Sequence, residues 1–460
     1  MLRRFAGTGV TRWLTICVAM SLLLLPGMGG AGVAALPQND DIVPGQFIVV
    51  VNPGYDPGQV AASHSASPLH VYRVAARGFA ARLSQAQVDR LRSDPRVNNV
   101  VPDRYVRALG LPDDGGAMGK PTGGGGGATS GQVIPAGVKR IGADRVWIDY
   151  TGKGIGVAII DTGIDFNHTD LKPVARDCYT AYTSCQDDNG HGTHVSGIVA
   201  ARNNSQDVVG VAPDATLYAV KVLDSKGSGS WSTVMAGIDW VTNHPNQIRV
   251  ANMSLGGSGS DTGNCGVSAD VPGTVTDPLH NAVCNSVKAG ITYVVAAGND
   301  VSKEISQMAP AAYPEVMAIA STTANGGSSS CRFASAIKAD TASYFTTDGA
   351  GVAVSAPGEE AENISKGCMI SSVGILSTRL GGGATRMSGT SMAAPHVTGV
   401  VALMQQEAGA VTPMTPGAIR TKLTGSAVGQ GIAPLNSPAS GYSFDGVREG
   451  IAWAQGATAP

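Results

Sequence analysis

The sequence has little charge and no excess of either sign. Only 14% of its 460 residues are charged, and the net charge at pH 7 is -2. Without a basic excess there is no electrostatic reason to expect nucleic acid or an anionic surface as a partner. The seven cysteines also lack a Cys-x-x-Cys spacing, so they give no argument for a zinc site.

Long apolar runs are lacking as well, except near the N-terminus. There, Arg3, Arg4 and Arg12 precede the apolar run Trp13–Pro26, and small residues follow. A basic end, a short apolar core and small residues are typical of a secretory signal peptide. The run is shorter than the roughly 20 residues that span a bilayer, although a retained anchor is the alternative. We predict that residues 1–35 are a signal peptide, that the protein is secreted, and that no membrane contact remains after cleavage.

Six cysteines remain once Cys17 is removed with the signal. An even number in an exported chain indicates disulfides, although some could stay as free buried thiols. Fifteen connectivities are possible for six cysteines. We favour pairing between neighbours, which gives Cys178–Cys185, Cys265–Cys284 and Cys331–Cys368.

Residues 41–109 have the pattern of a small α+β unit. The run QFIVVV (Gln46–Val51) is typical of a strand, and SQAQVDRLRSD from Ser84 has helical spacing. The segment 110–130 includes five successive glycines, which is the composition of a flexible linker.

Apolar runs and helical patterns alternate from residue 131 to 460. Near-continuous apolar runs are typical of parallel strands buried on both faces. They occur at Gly154–Ile160, Thr216–Leu223, Val250–Leu255, Ile291–Gly298 and Val316–Ser321. The pattern predicts an α/β domain with a mostly parallel central sheet, whose active site lies at the carboxyl ends of the strands.

Chemically active residues stand at these strand ends and at helix starts. Asp161 and Asn299 each end an apolar run, and His191 and Ser391 each begin a helical stretch. Together they offer a nucleophile, a base, a carboxylate that orients the base, and an amide that donates to an oxyanion. Each residue alone also fits a turn or a helix cap.

A metal site is the alternative for the histidine-containing segment. His191 and His194 are three residues apart and share a helical face, and Asp187 and Asp188 would add oxygen ligands. A metal-dependent hydrolase and a catalytically silent binding scaffold therefore stay open as alternatives.

Three motifs carry a family resemblance. DTGID at Asp161, HGTHVSG at His191 and GTSMAAPHVTG around Ser391 resemble the three signatures of subtilisin-like serine proteases, in the same order. The resemblance covers about residues 131–454, and residues 41–109 resemble the propeptide of that family. It implies the subtilisin-like three-layer fold, preceded by a small α+β propeptide domain.

The resemblance assigns roles to individual residues. It makes Ser391 the nucleophile, His191 the general base, Asp161 its orienting carboxylate and Asn299 an oxyanion-hole donor. The segments MSLGG and AAGN resemble the substrate-binding edges of the family. The expected pocket residues are Ser254, Leu255 and Gly256 on one wall and Ala296, Ala297 and Gly298 on the other. Since none is charged, we expect apolar or broad specificity toward protein and peptide substrates.

The resemblance also implies a structural Ca²⁺ and an intramolecular inhibitor. Gln132, Asp170 and Asn204 match the family's calcium ligands, although Asp207 stands where a glycine is common; no organic cofactor is expected. The propeptide is expected to inhibit the enzyme until a cut near Leu109. The segment that resembles the family's mature N-terminus begins only near Gly131.

Overall fold

The computed structural model describes residues 41–112, 131–175, 182–263, 265–266, 276–409, 412–438 and 445–459. The predicted signal peptide lies outside these ranges. None of the helices within them combines the length and the apolar character that crossing a bilayer requires.

Short helices and strands make up the N-terminal unit and the segment that follows it. They are β1 Ile42–Val51, α1 Pro57–Ser63, β2 Pro68–Tyr72, β3 Gly78–Arg82, α2 Gln85–Arg92, β4 Val97–Ala108 and β5 Leu111–Pro112.

In the remaining part of the chain, helices and strands alternate over most of the sequence. They are α3 Ala136–Arg140, β6 Gly156–Asp161, β7 Pro173–Ala175, α4 His191–Ala200, β8 Thr216–Lys221, β9 Ser228–Ser230, α5 Trp231–Thr242, β10 Val250–Met253, β11 Leu255–Ser258, α6 Pro278–Lys288, β12 Thr292–Ala296, β13 Met308–Ala309, β14 Met317–Thr323, β15 Val352–Glu359, β16 Ala361–Ile364, β17 Ile370–Val373, β18 Ile375–Thr378, β19 Ala384–Ser388, α7 Thr390–Ala408, α8 Pro416–Gln430 and α9 Ala454–Ala457.

The central sheet has the strand order β15-β14-β12-β10-β6-β8-β7. All its neighbouring strands are parallel. The predicted α/β class with a parallel sheet is therefore confirmed. The five predicted apolar runs correspond to β6, β8, β10, β12 and β14, whereas β15 was not predicted, because Ser, Pro and Gly interrupt its apolar pattern.

The alternation of side chains along β6 explains why the fold has three layers. Val157 and Ile159 belong to the hydrophobic core that also contains residues of α4 and α7. Ala158 and Ile160 belong to a second core, shared with α5 and α6. Because successive strand residues point to opposite faces, a strand with no polar residue before Asp161 needs helices on both sides.

The N-terminal unit is an antiparallel sheet with two helices on one face. β1 lies between β3 and β4. One face of the sheet forms its own core against α1 and α2. Ile48, Tyr72 and Ala80 on the other face join the core that contains α5 and α6. The unit therefore completes its burial only on the larger domain, as expected for so small a chain segment.

Two of the three predicted disulfides are confirmed. Cys265 is bonded to Cys284, and Cys331 is bonded to Cys368. Cys185 is also disulfide-bonded, and its predicted partner Cys178 lies outside the described residues.

A single carboxylate of α5 holds the turn between β2 and β3. Asp239 Oδ1 accepts hydrogen bonds from the N–H of Val74 at 2.8 Å and of Ala75 at 2.7 Å. It also accepts from the N–H of Arg73 at 3.2 Å. Hydrogen bonds to a charged acceptor are stronger than neutral ones, so this contact is a specific attachment of the N-terminal unit to the larger domain.

We expect Asp239→Ala to release this turn. In the uncut chain, the amides of Val74 and Ala75 should exchange with deuterium at least about tenfold faster, because charge-assisted hydrogen bonds of about 1.5–3 kcal/mol are lost. Asp149→Ala, at an exposed carboxylate, is the matched control and should leave their exchange unchanged. Unaltered protection in the Asp239 variant would show that other contacts hold the turn.

Candidate active site

Asp161 and His191 form a buried hydrogen-bonded pair. Asp161 ends β6, and His191 begins α4. Nδ1 of His191 lies 2.8 Å from Oδ1 and 3.0 Å from Oδ2 of Asp161. Among the described residues, Nε2 of His191 has no hydrogen-bond partner. With Nδ1 donating to the carboxylate, Nε2 is the free acceptor that a general base requires.

The loop before α4 holds His191 at this position. Asp187 is buried, and its Oδ1 accepts from the N–H of Gly190 and from the hydroxyl of Thr162, both at 2.9 Å. Its Oδ2 accepts from the N–H of Thr193 at 2.9 Å. Asp187 therefore ties the loop after β6 to the first turn of α4. The sequence pattern suggests Asp187 only as a metal ligand, although its position four residues before His191 also fits this positioning role.

Opposing effects set the pKa of His191. Burial disfavours the imidazolium and lowers the pKa, whereas the charge of Asp161, its hydrogen bond and the charge of Asp187 raise it. The raising effects prevail, so the pKa of His191 lies above its usual value. The carboxylate both orients the ring and makes it a stronger base.

Ser391 lies buried in the first turn of α7, after Gly389. Its hydroxyl donates to the main-chain carbonyl of Ser254 at 3.0 Å, and the hydroxyl of Ser254 donates back to the carbonyl of Ser391 at 2.9 Å. Gly389 has a φ of 139°, which non-glycine residues rarely adopt. The turn that presents Ser391 therefore requires glycine.

Asn299 is held against the same turn by Thr390. Its Oδ1 accepts from the N–H and from the hydroxyl of Thr390, both at 2.9 Å. With Oδ1 occupied, Nδ2 points the other way and donates to the carbonyl of Leu109. Thr390 is thus a positioning residue that we did not single out, although it lies inside the motif GTSMAAPHVTG.

The end of β4 occupies the cleft as a third strand. β4 pairs antiparallel with β9 on one side, with Val106 opposite Gly229. On the other side it pairs antiparallel with β11, with Ala108 opposite Leu255 and Arg107 opposite Gly256. An extended segment bound between two strand edges is the geometry of β-augmentation.

Leu109 and Gly110 lie directly over the catalytic candidates. The N–H of Leu109 donates to the carbonyl of Ser254 at 3.2 Å. A Cβ placed on Gly110 would lie 2.7 Å from Cδ2 of His191 and 2.9 Å from its Nε2. The main chain therefore passes His191 at Gly110, one residue after the carbonyl that Asn299 contacts.

The chain then continues as a strand on the far side of the cleft. β5 pairs antiparallel with β19, with Leu111 opposite Ser388 and Pro112 opposite Met387. This differs from the prediction that residues 110–130 form only a linker. The edge of β19 compensates for the low intrinsic strand preference of a Gly-rich segment.

The two predicted pocket walls differ in their contacts. Ser254 bonds to the main chain of Leu109, and Gly256 lies against its side chain: a Cβ on Gly256 would lie 3.0 Å from Leu109 Cδ1. On the other wall, Gly298 donates to the hydroxyl of Thr390 at 3.1 Å. Ala296 and Ala297 are buried in the two hydrophobic cores.

The alternative metal site does not form around His191 and His194. His194 Nε2 lies 3.0 Å from the carbonyl of Ile375, and burial lowers the pKa of His194 to about 3. Asp188 pairs with Lys221 at 2.7 Å. In the part of the chain that the structure describes, one group of His, Cys and carboxylates is compact enough for a metal, and its two cysteines are joined as Cys265–Cys284.

Oxygen atoms converge around the side-chain amide of Gln132. Four of them lie within 2.6–3.2 Å of the atom assigned as Nε2. They are the carbonyls of Arg202, Gln206 and Val208 and Oδ1 of Asn204. The amide oxygen of Gln132 accepts from the N–H of Asn204 at 3.2 Å and of Ser205 at 3.0 Å, so Nε2 faces the four oxygens. An NH₂ group has only two protons for four acceptors. Carbonyl and side-chain oxygens gathered in this way are the ligand type that a hard cation prefers.

Asp170 supplies the anionic group beside this set. Its Oδ2 accepts from the N–H of Val208 at 3.0 Å, whereas Oδ1 is buried without a partner. Burial raises the pKa of Asp170 to about 7. Asp207 has a positive φ of 34°, which explains why glycine would suit this position. A buried carboxylate oxygen without a donor fits a cation ligand.

Two family models match parts of this chain. A family model described as "Subtilase family" matches residues 152–445, and one described as "Peptidase inhibitor I9" matches residues 54–109. The boundaries of our predicted domains, 41–109 and 131–460, stay predictions.

Named relatives are proteases. Subtilisin DY from Bacillus licheniformis is 36% identical over 304 residues, which cover 65% of this chain and 93% of that protein. The thermostable alkaline protease of Halalkalibacterium halodurans is 34% identical over 364 residues, covering 78% of this chain and 81% of that protein.

The fold is also shared with a solved structure. The crystal structure of fervidolysin from Fervidobacterium pennivorans, a keratinolytic enzyme related to subtilisin, matches with a TM-score of 0.66 at 22% identity. The match covers 92% of this chain and 62% of that chain, and at this identity it shows the fold alone. The family match and the identity to subtilisins show more: the chain belongs to the subtilase family and is a subtilisin-type serine endopeptidase with an I9 inhibitor propeptide.

Proposed function

We propose that the protein is a secreted serine endopeptidase that is made as a zymogen and cuts itself between Leu109 and Gly110. The observation that supports this best is the contact between Asn299 Nδ2 and the carbonyl of Leu109. That carbonyl belongs to a segment bound as a strand in the cleft, next to His191 and Ser391. A carbonyl held by an amide donor beside a serine and a histidine is arranged for acyl transfer.

The nucleophile must turn before it reacts. Ser391 Oγ donates to the carbonyl of Ser254, while Nε2 of His191 has no partner among the described residues. Rotation about the Cα–Cβ bond of Ser391 transfers its hydrogen bond to Nε2. The Ser254 carbonyl keeps the N–H of Leu109 as a donor, so it is not left unpaired.

The first half of the reaction forms an acyl-enzyme. Ser391 Oγ forms a bond to the carbonyl carbon of Leu109 as its proton moves to Nε2 of His191. The oxyanion accepts from Asn299 Nδ2 and from the N–H of Ser391, because N–H groups in the first turn of a helix lack an intrahelical acceptor. The bond to the nitrogen of Gly110 then breaks, and the imidazolium returns its proton to that nitrogen.

The second half releases the acid. Water attacks the ester carbon, gives its proton to His191, and the Ser391 hydroxyl is restored with that proton. Asp161 accepts the Nδ1–H hydrogen bond of His191 and stabilises the imidazolium that forms in each half.

Specificity is expected to be apolar or broad. The residue before the cut in the chain itself is Leu109, and Gly256 lies against its side chain. The lining residues predicted from the sequence carry no charge to select a basic or acidic side chain.

We further propose that Ca²⁺ stabilises the loop around Gln132. The side-chain oxygens of Gln132, Asn204 and Asp170 and the neighbouring loop carbonyls would hold the ion. Its charge would compensate for the burial of the Asp170 carboxylate. The ion would also link the loop that follows β6 to the segment that follows α4.

Ser391→Ala should leave a folded but uncut precursor, because the cut depends on that hydroxyl. The unaltered chain should release a fragment that ends at Leu109 and a product that starts at Gly110, both identified by mass spectrometry. Ser426→Ala on α8 is the matched control and should mature normally. Normal maturation of Ser391→Ala in a protease-free host would contradict the proposal.

A serine-directed phosphonate separates this proposal from the metal-hydrolase and scaffold alternatives. We expect the phosphonate to label Ser391 and abolish activity, and a zinc chelator to have no effect. Inhibition by the chelator without labelling would favour the metal hydrolase, and the absence of both cleavage and labelling would favour a scaffold.

The acid limb of kcat/KM should lie above pH 6.5, the ordinary value for histidine. Because the neutral ring is the base and the pKa of His191 is raised, activity is lost at a higher pH than for an unperturbed histidine. Asp161→Asn should lower kcat about 10⁴-fold, because replacing the carboxylate that orients the histidine has an effect of that size in a serine-protease triad. A limb at or below pH 6 in the mature enzyme would contradict the raised pKa.

Removal of Ca²⁺ should lower the melting temperature by roughly 3–5 °C, because a ligand that binds only the folded state adds about 2.7 kcal/mol at 100 times its Kd and the entropy of unfolding grows with chain length. Asp170→Asn should melt at a lower temperature and lose most of its response to Ca²⁺. Scanning calorimetry in excess Ca²⁺ and in strong chelator measures both. An unchanged melting temperature in chelator would count against the site.

A further inference from the structure

A charged cavity lies beside β19, on the side of the cleft that receives the chain after the cut. It has a volume of about 480 Å³. Its lining includes Lys139, Arg140, Glu360, Leu376 and Arg386. The charged members are three cations and one anion, whereas the protein as a whole has a net charge of -2.

Part of this positive charge has no partner. Arg386 pairs with Glu360, and Arg140 Nε donates to Asp340 at 2.5 Å. Nη2 of Arg140 is buried without a hydrogen-bond partner, and no described carboxylate pairs with Lys139. The exposed ammonium of Lys139 is therefore an unused donor for an anion, and the Arg140 guanidinium adds positive charge beside it.

The strand register brings a bound peptide to this cavity. Leu111 and Pro112, the second and third residues after the cut, lie opposite Ser388 and Met387. A bound peptide that continues this antiparallel ladder by one residue would place that residue opposite Arg386. On the other side of β19, Arg386 lies opposite Leu376, and both line the cavity. Directly opposite side chains share one face of a sheet, so the fourth residue of such a peptide would lie over the cavity.

We propose that this cavity is a specificity site for an acidic side chain at the fourth position after the cut. The proposal rests on the proposed cut between Leu109 and Gly110, which sets the register. A carboxylate there pairs with the exposed ammonium of Lys139 and competes with Glu360 for Arg386. Charge complementarity of this kind discriminates against a basic side chain as well as favouring an acidic one.

The chain's own sequence agrees with this preference. Asp113 and Asp114 follow Pro112 and are the fourth and fifth residues after the proposed cut. Both lie outside the described residues, so the agreement is one of sequence position.

Three internally quenched peptides test the proposal on the mature enzyme. Each carries VRALGLP, the sequence of residues 106–112, followed by Asp, Asn or Lys and a common tail. We expect kcat/KM for the Asp peptide to exceed that for the Lys peptide by about three- to tenfold, as for a partly exposed ion pair. The ratio should shrink in about 0.5 M salt, since salt screens exposed pairs. Values equal within twofold for all three peptides would overturn the proposal.

Charge-reversal variants test whether Lys139 causes the preference for the Asp peptide. Lys139→Glu should remove or invert the preference for Asp over Lys. Lys153→Glu makes the same charge change at an exposed residue near the other end of β6, and it should keep the preference. Retention of the full preference in Lys139→Glu, or its equal loss in both variants, would refute this assignment.

A binding measurement distinguishes failure of the cavity proposal from failure of the proposed catalytic function. If none of the peptides is cut, the proposed function is wrong, but the peptides then stay intact and fluorescence anisotropy on the same protein still measures their affinities. An Asp peptide that binds no more tightly than the Lys peptide there would overturn the cavity's role.

Discussion

The insertion of the end of β4 between β9 and β11 is the contact on which the rest of the arrangement depends. It supplies main-chain hydrogen bonds to two strand edges that would otherwise lie open. The same insertion places the carbonyl of Leu109 at Asn299 and the N–H of Leu109 at the carbonyl of Ser254. The last residues of the N-terminal unit are therefore held in the cleft mainly through main-chain contacts.

The parallel sheet explains why the remaining groups meet at that carbonyl. Asp161 is the last residue of β6, and Asn299 follows β12, so both stand at the carboxyl edge of one sheet. His191 and Ser391 reach the same edge from the first turns of α4 and α7, which pack against each other in one core. Buried side chains of both helices are closely packed in this core, which restricts the movement of either helix. The packing therefore fixes the positions of the candidate residues His191 and Ser391.

The sequence predicted the central sheet, the strand-end residues and two of the disulfides, because these depend on apolar runs, motif order and cysteine spacing. It did not predict β5, since nothing in a Gly-rich segment indicates a strand until the edge of β19 is present. Thr390 and Asp187 were missed as positioning residues for a related reason. Their roles arise from contacts with Asn299 and with the loop after β6, which only the folded chain brings together.

Gly110 also restricts which residues fit directly after the proposed cut. Its main chain lies so close to the ring of His191 that any side chain would overlap the imidazole. A protein substrate with a larger residue at that position must bind with its backbone displaced from the ring. Under the proposed cut, the chain's own junction therefore fits close to His191 without the displacement that a larger residue would require.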